Sequence, residues 1–417
     1  MEILSIGEKI KRSRIYKGLT LKDVCGGKVS VSKMSCIENG KVKPDDWIIE
    51  FVAKKLSIDV SYLKQDVHEQ IGNNINEIKN NKNSEDYESK IEYNLGFAEN
   101  YKYYDLAFKL MHLIFSYYLQ QNKFEKLQIT TSKYYDLCQK SGTDEDLCTY
   151  YMDTGRYCFG TKEYAEAAGY YNSVRKTAMK IGNNSFLARS TYNEAACYVM
   201  LENYERAYEI GVRLTELMDY FDTDLIKADA YQLLALLSIR RDKGKFEQYE
   251  KKSYELYGND SLNKASAIYN YAVAMFDVGI RDMAVEYIKK SLSSYPKDDK
   301  TDYVDFMIRV IDELFEDNEF ELAQGICDEA LNLAIDLNNI KFIERAYYYK
   351  ACILEKLGGI KSAEMFMNLS MDSLMKFGSK SDIYKRYLEM GNMYYEMNET
   401  VDAIKYFDLA IKLEKSM

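Results

Sequence analysis

From residue 5 to residue 64, apolar positions recur at helical spacing in short bursts, each closed by a glycine or an asparagine. Ile6, Ile10 and Ile15 mark a first helix over residues 5–16, with Lys9, Lys11, Arg12 and Arg14 between them, and Gly18 stops it. Thr20 with Asp23 three residues on is a relative of the capping box and predicts a short second helix, with Leu21 and Val24 inward and Gly26-Gly27 at its end. Ser30 caps a third helix through Glu38. Met34 and Ile37 turn inward there, while Ser32, Lys33, Ser35 and Cys36 point elsewhere, and Asn39-Gly40 provides the next stop. Pro44 stands near the start of a fourth helix whose Trp47, Ile48, Phe51, Val52 and Leu56 complete a small core. Ile58, Val60 and Leu63 add a fifth.

After Asp66 the pattern weakens. Ile71, Ile75 and Ile78 suggest a helix that Gly72-Asn73-Asn74 and the polar run 80–84 interrupt, so residues 67–86 read as a linker or connecting helix. From about Tyr87 to the end, helices of about 14–18 residues alternate with short turns. Aligning Leu127, Ala167, Ala207, Tyr249, Ala284, Ala323, Ala363 and Ala403 gives steps of 40, 40, 42, 35, 39, 40 and 40 residues. Small residues suit these places because the second helix of a pair can then approach the first. The expectation is all-α: a five-helix head over 1–66, a connection over 67–86, and a repeat body over 87–417 with eight hairpins from about residue 103.

Charge sharpens this division. Residues 1–66 hold 13 Lys and Arg against 9 Asp and Glu, a net of +4 out of −10 for the chain, leaving −14 on the remainder. A basic head can approach a phosphate backbone, whereas an acidic body repels it. The eight cysteines (Cys25, Cys36, Cys138, Cys148, Cys158, Cys197, Cys327 and Cys352) form no C-x-x-C pair, and only His68 and His112 accompany them, so neither a metal site nor a cofactor is expected. No signal-peptide pattern opens the sequence and no run of 18 uncharged apolar residues occurs, which predicts a cytoplasmic chain without a membrane partner. Phosphate loops, zinc-protease motifs and nucleophile elbows are missing, so an enzyme is not expected. The 39 tyrosines read first as packing residues.

The runs I-G-E-K-I-K-R-S-R, G-L-T-L-K-D-V and S-V-S-K-M-S-C-I-E-N-G-K-V-K-P resemble the phage-repressor-like helix-turn-helix domain. That resemblance places the third helix in the major groove, with Val31, Ser32, Lys33 and Ser35 nearest the base edges. Position 31 commonly carries a glutamine in that family. Val31 offers only contact with a thymine methyl or a sugar. Lys28, Lys41 and Lys43 flank the helix and can neutralise phosphates. The resemblance also pairs Arg14 with Glu38 across the head. Each body unit resembles the tetratricopeptide repeat, most clearly over 192–209 and 394–413, which implies a right-handed superhelix with a concave groove.

A repressor-like head fused to such repeats resembles the Gram-positive peptide-responsive quorum-sensing regulators. The resemblance implies a homodimer that binds operator DNA and is controlled by a short signalling peptide held in the groove, and related phage regulators share the architecture. Family members lacking the head bind other regulatory proteins, so a protein-binding scaffold is the alternative. Counting 14 residues back from the small-residue register lands on Asp153, Asn193, Ala235, Asn270, Arg309, Tyr349 and Glu389. Asn193 and Asn270 can each donate to and accept from a peptide backbone, Asp153 and Arg309 can meet its charges, and Tyr231 is a candidate aromatic wall. The plainer reading is that both asparagines bond between helices.

Overall fold

The computed structural model describes residues 2–82 and 84–416, which form helices and connecting turns with no strand among them. Five helices make the head: α1 (Ile6–Tyr16), α2 (Leu21–Cys25), α3 (Val31–Glu38), α4 (Asp46–Leu56) and α5 (Val60–Lys64). Ser5, Thr20 and Ser30 cap the first three, each accepting from a backbone N–H three residues on, and full capping boxes form at Ser5 with Glu8 and at Thr20 with Asp23. The core joins Ile10, Val24, Met34, Ile37, Ile48, Val52, Leu56 and Leu63. Gly7 lets α1 lie against the end of α3, since a methyl group there would overlap the Ile37 carbonyl oxygen.

Two expected core residues are outside it. Ile15 is 58% exposed because the stripe from Ile10 continues four residues on through Arg14; five residues carry Ile15 well round the helix. Trp47 is 49% exposed, since α4 begins at Asp46 and its inner face is carried by Ile48, Ile49, Val52, Ala53 and Leu56.

Two non-helical residues, Gln65 and Asp66, separate α5 from α6 (Val67–Asn80), which passes straight through Gly72-Asn73-Asn74. The interruption expected at Gly72-Asn73-Asn74 does not occur, whereas the one expected at residues 80–84 does, α6 ending at Asn80. Val67, Ile71, Ile75 and Ile78 bury one face against α7 (Tyr87–Asn100) and α8 (Tyr104–Gln120), and the Asn74 amide donates to Asn94 Oδ1 at 2.8 Å in the same interface. Tertiary burial outweighs a few tenths to about 1 kcal/mol of poor helix propensity per residue. The amide of Gln70 grips the Leu4 backbone from both sides, accepting from its N–H at 3.0 Å and donating to its carbonyl at 2.9 Å. Ile3 is buried in the α6–α8 cluster.

Eight helix pairs follow. They are α8 with α9 (Phe124–Ser141), α10 (Asp144–Gly160) with α11 (Tyr164–Ile181), α12 (Asn184–Met200) with α13 (Tyr204–Gly211), and α14 (Asp224–Ser238) with α15 (Lys243–Tyr257). Then come α16 (Ser261–Asp277) with α17 (Arg281–Ser294), α18 (Lys300–Glu316) with α19 (Phe320–Asp336), α20 (Ile340–Lys356) with α21 (Ile360–Leu374), and α22 (Lys380–Glu396) with α23 (Thr400–Glu414). The fourth residue of every second helix is buried: Leu127, Ala167, Ala207, Phe246, Ala284, Ala323, Ala363 and Ala403. In α15 this place belongs to Phe246, and Tyr249 is only half-buried, which corrects the register there and evens the steps to 39 and 38. Asn122, Lys162, Glu202, Gly279, Asn318, Gly358 and Asn398 take the left-handed conformation two residues before their second helices.

The chain divides into two compact units, the first ending at Phe221 and the second beginning at Asp222. In the first, α13 stops at Gly211 and two 3-10 turns complete the third pair. The second unit has its own core, centred on Tyr271, Phe306, Ile311 and Cys327. No helix among the described residues is long and apolar enough to cross a membrane.

Candidate functional site

On the head, Ser30 Oγ accepts from the Lys33 backbone at 3.1 Å and so fixes where α3 starts. With Met34 and Ile37 fully buried, Val31 is left 45% exposed, and Ser32 is exposed beside it. Lys33 Nζ forms an exposed ion pair with Asp45 at 3.0 Å, weak enough for a phosphate or a base edge to displace. Ser35 is half-buried, its carbonyl accepting from the Asn39 amide at 2.8 Å. Lys28, Lys41 and Lys43 are exposed in the turns on either side of the helix, Lys28 with its ammonium 5.3 Å from the Phe51 ring centre.

The helix is held from behind. Arg14 donates through Nε and Nη2 to the two Glu38 oxygens at 2.7 and 2.8 Å, and through Nη1 to the Leu19 carbonyl at 3.1 Å. This fork ties α1, the turn before α2 and the end of α3 together, and the bond to Glu38 holds the Arg14 guanidinium more firmly protonated than usual. Lys9 had no assigned task in the sequence. It is buried, and its ammonium donates to the Tyr62 and Gln65 carbonyls at 2.7 Å each, closing α1 onto the end of α5. Burial pushes its pKa down.

In the first unit of the body, Asp153 is almost fully buried on α10 and its Oδ2 receives two partners, Tyr134 OH at 2.8 Å and His112 Nδ1 at 2.6 Å. Arg156 lies 3.7 Å from its other oxygen. Asp153 is therefore already engaged and is not available to meet a ligand charge; it orients His112 instead. Burial and the Asp153 charge push the Tyr134 phenol far up, so it stays a donor. His112 stands 41 residues before Asp153, one residue off the repeat step that leads to Leu113, so the repeat arithmetic did not point at this pair. Asn193, at the position of α12 equivalent to Asp153, is half-buried with its amide nitrogen 3.4 Å from Met152 Sδ.

These first helices frame a cleft of about 530 Å³. Met152, Phe124 and Phe186 give it apolar walls, and Lys82, Arg156 and Arg189 bring positive charge to it, with Asp153 its one carboxylate. Within an acidic body this is a cationic cleft with an apolar floor.

Asn270, Arg309 and Tyr231 belong to the second unit, and Asn193 and Asp153 to the first. Asn270 is exposed on α16. Arg309 is exposed on α18, 3.5 Å from Asp305, and its carbonyl accepts from Tyr269 OH at 3.3 Å. Tyr231 packs toward its own hairpin partner: its ring centre is 6.1 Å from that of Tyr249 on α15, and Lys252 lies 5.0 Å above it. With Phe246 as the register residue, the equivalent position on α14 is Gln232, which accepts from Tyr257 OH at 2.8 Å, and not the fully buried Ala235. Among the described residues no group of three or more His, Cys, Asp or Glu side chains could hold a metal ion.

The sequence matches no family model and no curated protein. Solved structures similar to it include the apo form of the quorum sensor NprR from B. thuringiensis, at 17% identity, covering 84% of this chain and 100% of that one, with a TM-score of 0.48. A Rap protein complexed with Competence and Sporulation Factor is 12% identical over 84% of this chain and 98% of that one, TM-score 0.49. PlcR of Bacillus thuringiensis, in complex with the peptide PapR7 and DNA, is 16% identical over 61% and 94%, TM-score 0.32.

Proposed function

We propose that this chain is a transcription regulator: the head binds operator DNA through α3, and the repeat body takes a short signalling peptide that controls it. The observation that carries the DNA half is the outward presentation of Val31, Ser32 and Lys33 on a helix locked from behind by the Arg14–Glu38 fork, with Lys28, Lys41 and Lys43 exposed beside it. Side chains held in this way can read base edges while the lysines set register on phosphates. The peptide half is supported by the cleft of the first unit, where cations meet apolar walls next to Asn193. An extended peptide offers charge, apolar side chains and backbone groups, and these three lining types answer them. Asn270 and Arg309 remain proposed peptide contacts in the second unit, with Tyr231 a weaker one because its ring is already packed.

A homodimer fits this reading, since two heads span two half-sites. On α23, Val401 (81%), Ile404 (62%) and Ile411 (49%) are exposed along one side of the helix, an apolar strip that a second copy of the chain can cover. The scaffold alternative makes no use of α3. Selection of bound fragments from a random DNA pool by the intact protein, followed by anisotropy titration, tests the proposal. Enrichment of a common, roughly palindromic sequence is the expected result, and Lys33→Ala with Ser35→Ala should weaken binding to it. Absence of any DNA affinity, with or without a secreted-peptide fraction, refutes it in favour of the scaffold.

A further inference from the structure

The floor and one cation of the first cleft are Phe186 and Arg189, the third and sixth residues of α12. The same F-x-x-R spacing recurs at Phe342 and Arg345, the third and sixth residues of α20 in the second unit. The ninth residue of the preceding first helix is Met152 on α10 and Ile308 on α18. The second unit has a cleft of its own, about 580 Å³, framed by α18, α20 and α22; it is shifted by one pair from the first, which lies among α8, α10 and α12, so the F-x-x-R helix closes one edge of the first cleft and stands in the middle of the second.

Its charges are not evenly matched. All four carboxylates are engaged within the protein. Asp305 lies 3.5 Å from Arg309; Glu344, buried, is 3.0 Å from Arg386 and accepts from the Ser370 hydroxyl at 2.9 Å. Glu389 accepts from Arg386 Nε at 2.9 Å and from Tyr348 OH at 3.3 Å, and Asp382 accepts from the hydroxyl and backbone of Ser379, capping α22. Arg309 and Arg386 are thereby paired. Lys341, Arg345 and Lys385 remain exposed and in no ion pair among the described residues, around the apolar surface of Ile308, Phe342 and Tyr348. Arg345 rests 5.7 Å from the Tyr349 ring centre, which steadies it without cancelling its charge.

We propose that this cleft is a second ligand site, taking a carboxylate carried next to an apolar side chain, as an acidic peptide presents it. The chain then holds two sites built on the same F-x-x-R helix pattern, one in each compact unit. The proposal extends the peptide reading above from one cleft to two and rests on it. The carboxylate binds Arg345 and Lys385, and the neighbouring apolar side chain covers Phe342 and Ile308.

The test equilibrates the full chain with a pool of randomised heptapeptides, supplied once with free and once with amidated C-termini, and sequences the retained fraction by mass spectrometry. Wild type should retain peptides with an acidic group beside an apolar residue, from both pools if a side chain supplies the carboxylate and from the free-acid pool alone if the terminus does. Arg189→Ala should remove one subset. Arg345→Gln with Lys385→Gln, which keeps side-chain bulk on Tyr349, should lower recovery of the remaining subset roughly tenfold or more, the loss of a charge-assisted bond, with the helical circular dichroism unchanged. Unchanged recovery in that folded double variant overturns the second site and leaves the first standing. No retention by wild type overturns the peptide reading and this site with it.

Discussion

Arg14 and Glu38 show what one pair of side chains does for the placement of α3. Glu38 is almost fully buried, and removing Arg14 would leave its carboxylate without a partner between α1 and α3. Arg14→Ala is expected to cost about 3–5 kcal/mol of head stability in urea unfolding, the usual cost of breaking a buried ion pair. Arg14→Lys should recover little of it, because a single ammonium cannot make the fork to both oxygens and reach Leu19 as well. A second residue-scale test concerns Glu313. Burial, and then the charges of Asp317, Asp277, Asp312 and Glu316, push its carboxyl up to about 7 from 4.5. The folded chain therefore keeps a proton that the unfolded chain has already released, so this group's contribution to stability is full below pH 4.5 and is lost as the pH rises to about 7. Glu313→Gln should flatten that part of the stability curve and leave the variant on the order of 1–2 kcal/mol more stable than wild type at pH 8, after allowance for partial exposure. An equal slope in both proteins between pH 4.5 and 7 would assign the effect to other groups. The Arg14–Glu38 pair was legible through its resemblance to a known head. Glu313 was not, because its environment comes from α16, the turn after α18 and its own neighbours, which no local pattern records.

At the scale of elements, most of what the sequence showed came from periodicity, and its errors have a common cause. The eight pairs were legible because a buried, mostly small residue recurs at a near-constant step; the left-handed turn residues before it, Asn122, Gly279, Asn318, Gly358 and Asn398 among them, went unread, and Lys162 and Glu202 show why, being types with no preference for that conformation. The fourth pair was misaligned by three residues because no small residue marks its register: Phe246 stands at the buried place and Tyr249, one helical turn on, offers a similar aromatic signal. The Phe246 ring meets that of Tyr271 edge-on at 5.4 Å, filling with one large side chain the space that alanines elsewhere leave to the first helix. Phe246→Ala is therefore expected to destabilise the second unit by about 3–5 kcal/mol, and Tyr249→Ala by clearly less, a comparison that urea unfolding with an α15–α16 fluorescence probe can make. Equal losses would restore the first alignment. α6 fails the local rules in the opposite sense: its glycine and asparagines read as breakers, yet its isoleucines are all buried and Gln70 is bonded on both sides of its amide. Gln70→Ala should leave α6 helical and speed amide hydrogen exchange at Leu4, since the partner of that N–H is gone. Unchanged protection at Leu4 would mean that burial of Ile3 alone holds the segment.

At the scale of the whole molecule the charge division of the chain becomes a prediction about salt. Binding through the head should weaken as salt rises, with Lys41→Ala and Lys43→Ala together reducing the slope of log affinity against log salt by about 2, near 0.9 for each phosphate no longer neutralised. Val31 and Ser32 variants should alter sequence preference and leave that slope in place. Assembly is the remaining question at this scale, and the surface of α23 addresses it. Val401, Ile404 and Ile411 are too exposed to be required for folding within one chain, and they form an apolar strip beside the exposed Asp408–Lys412 ion pair. Burial of such a strip between two copies gains about 25 cal/mol for each Å² of apolar area removed from water, and a two-fold partner offers the same strip in return. Val401→Glu with Ile404→Glu should therefore leave the helical signal and the thermal transition of each unit intact while sedimentation at micromolar concentration shifts from a dimer to a monomer. DNA affinity should fall with it, because one head reaches one half-site and the gain from linking two is lost. A wild-type chain that already sediments as a monomer, or a double variant that remains a dimer, would move the interface away from α23.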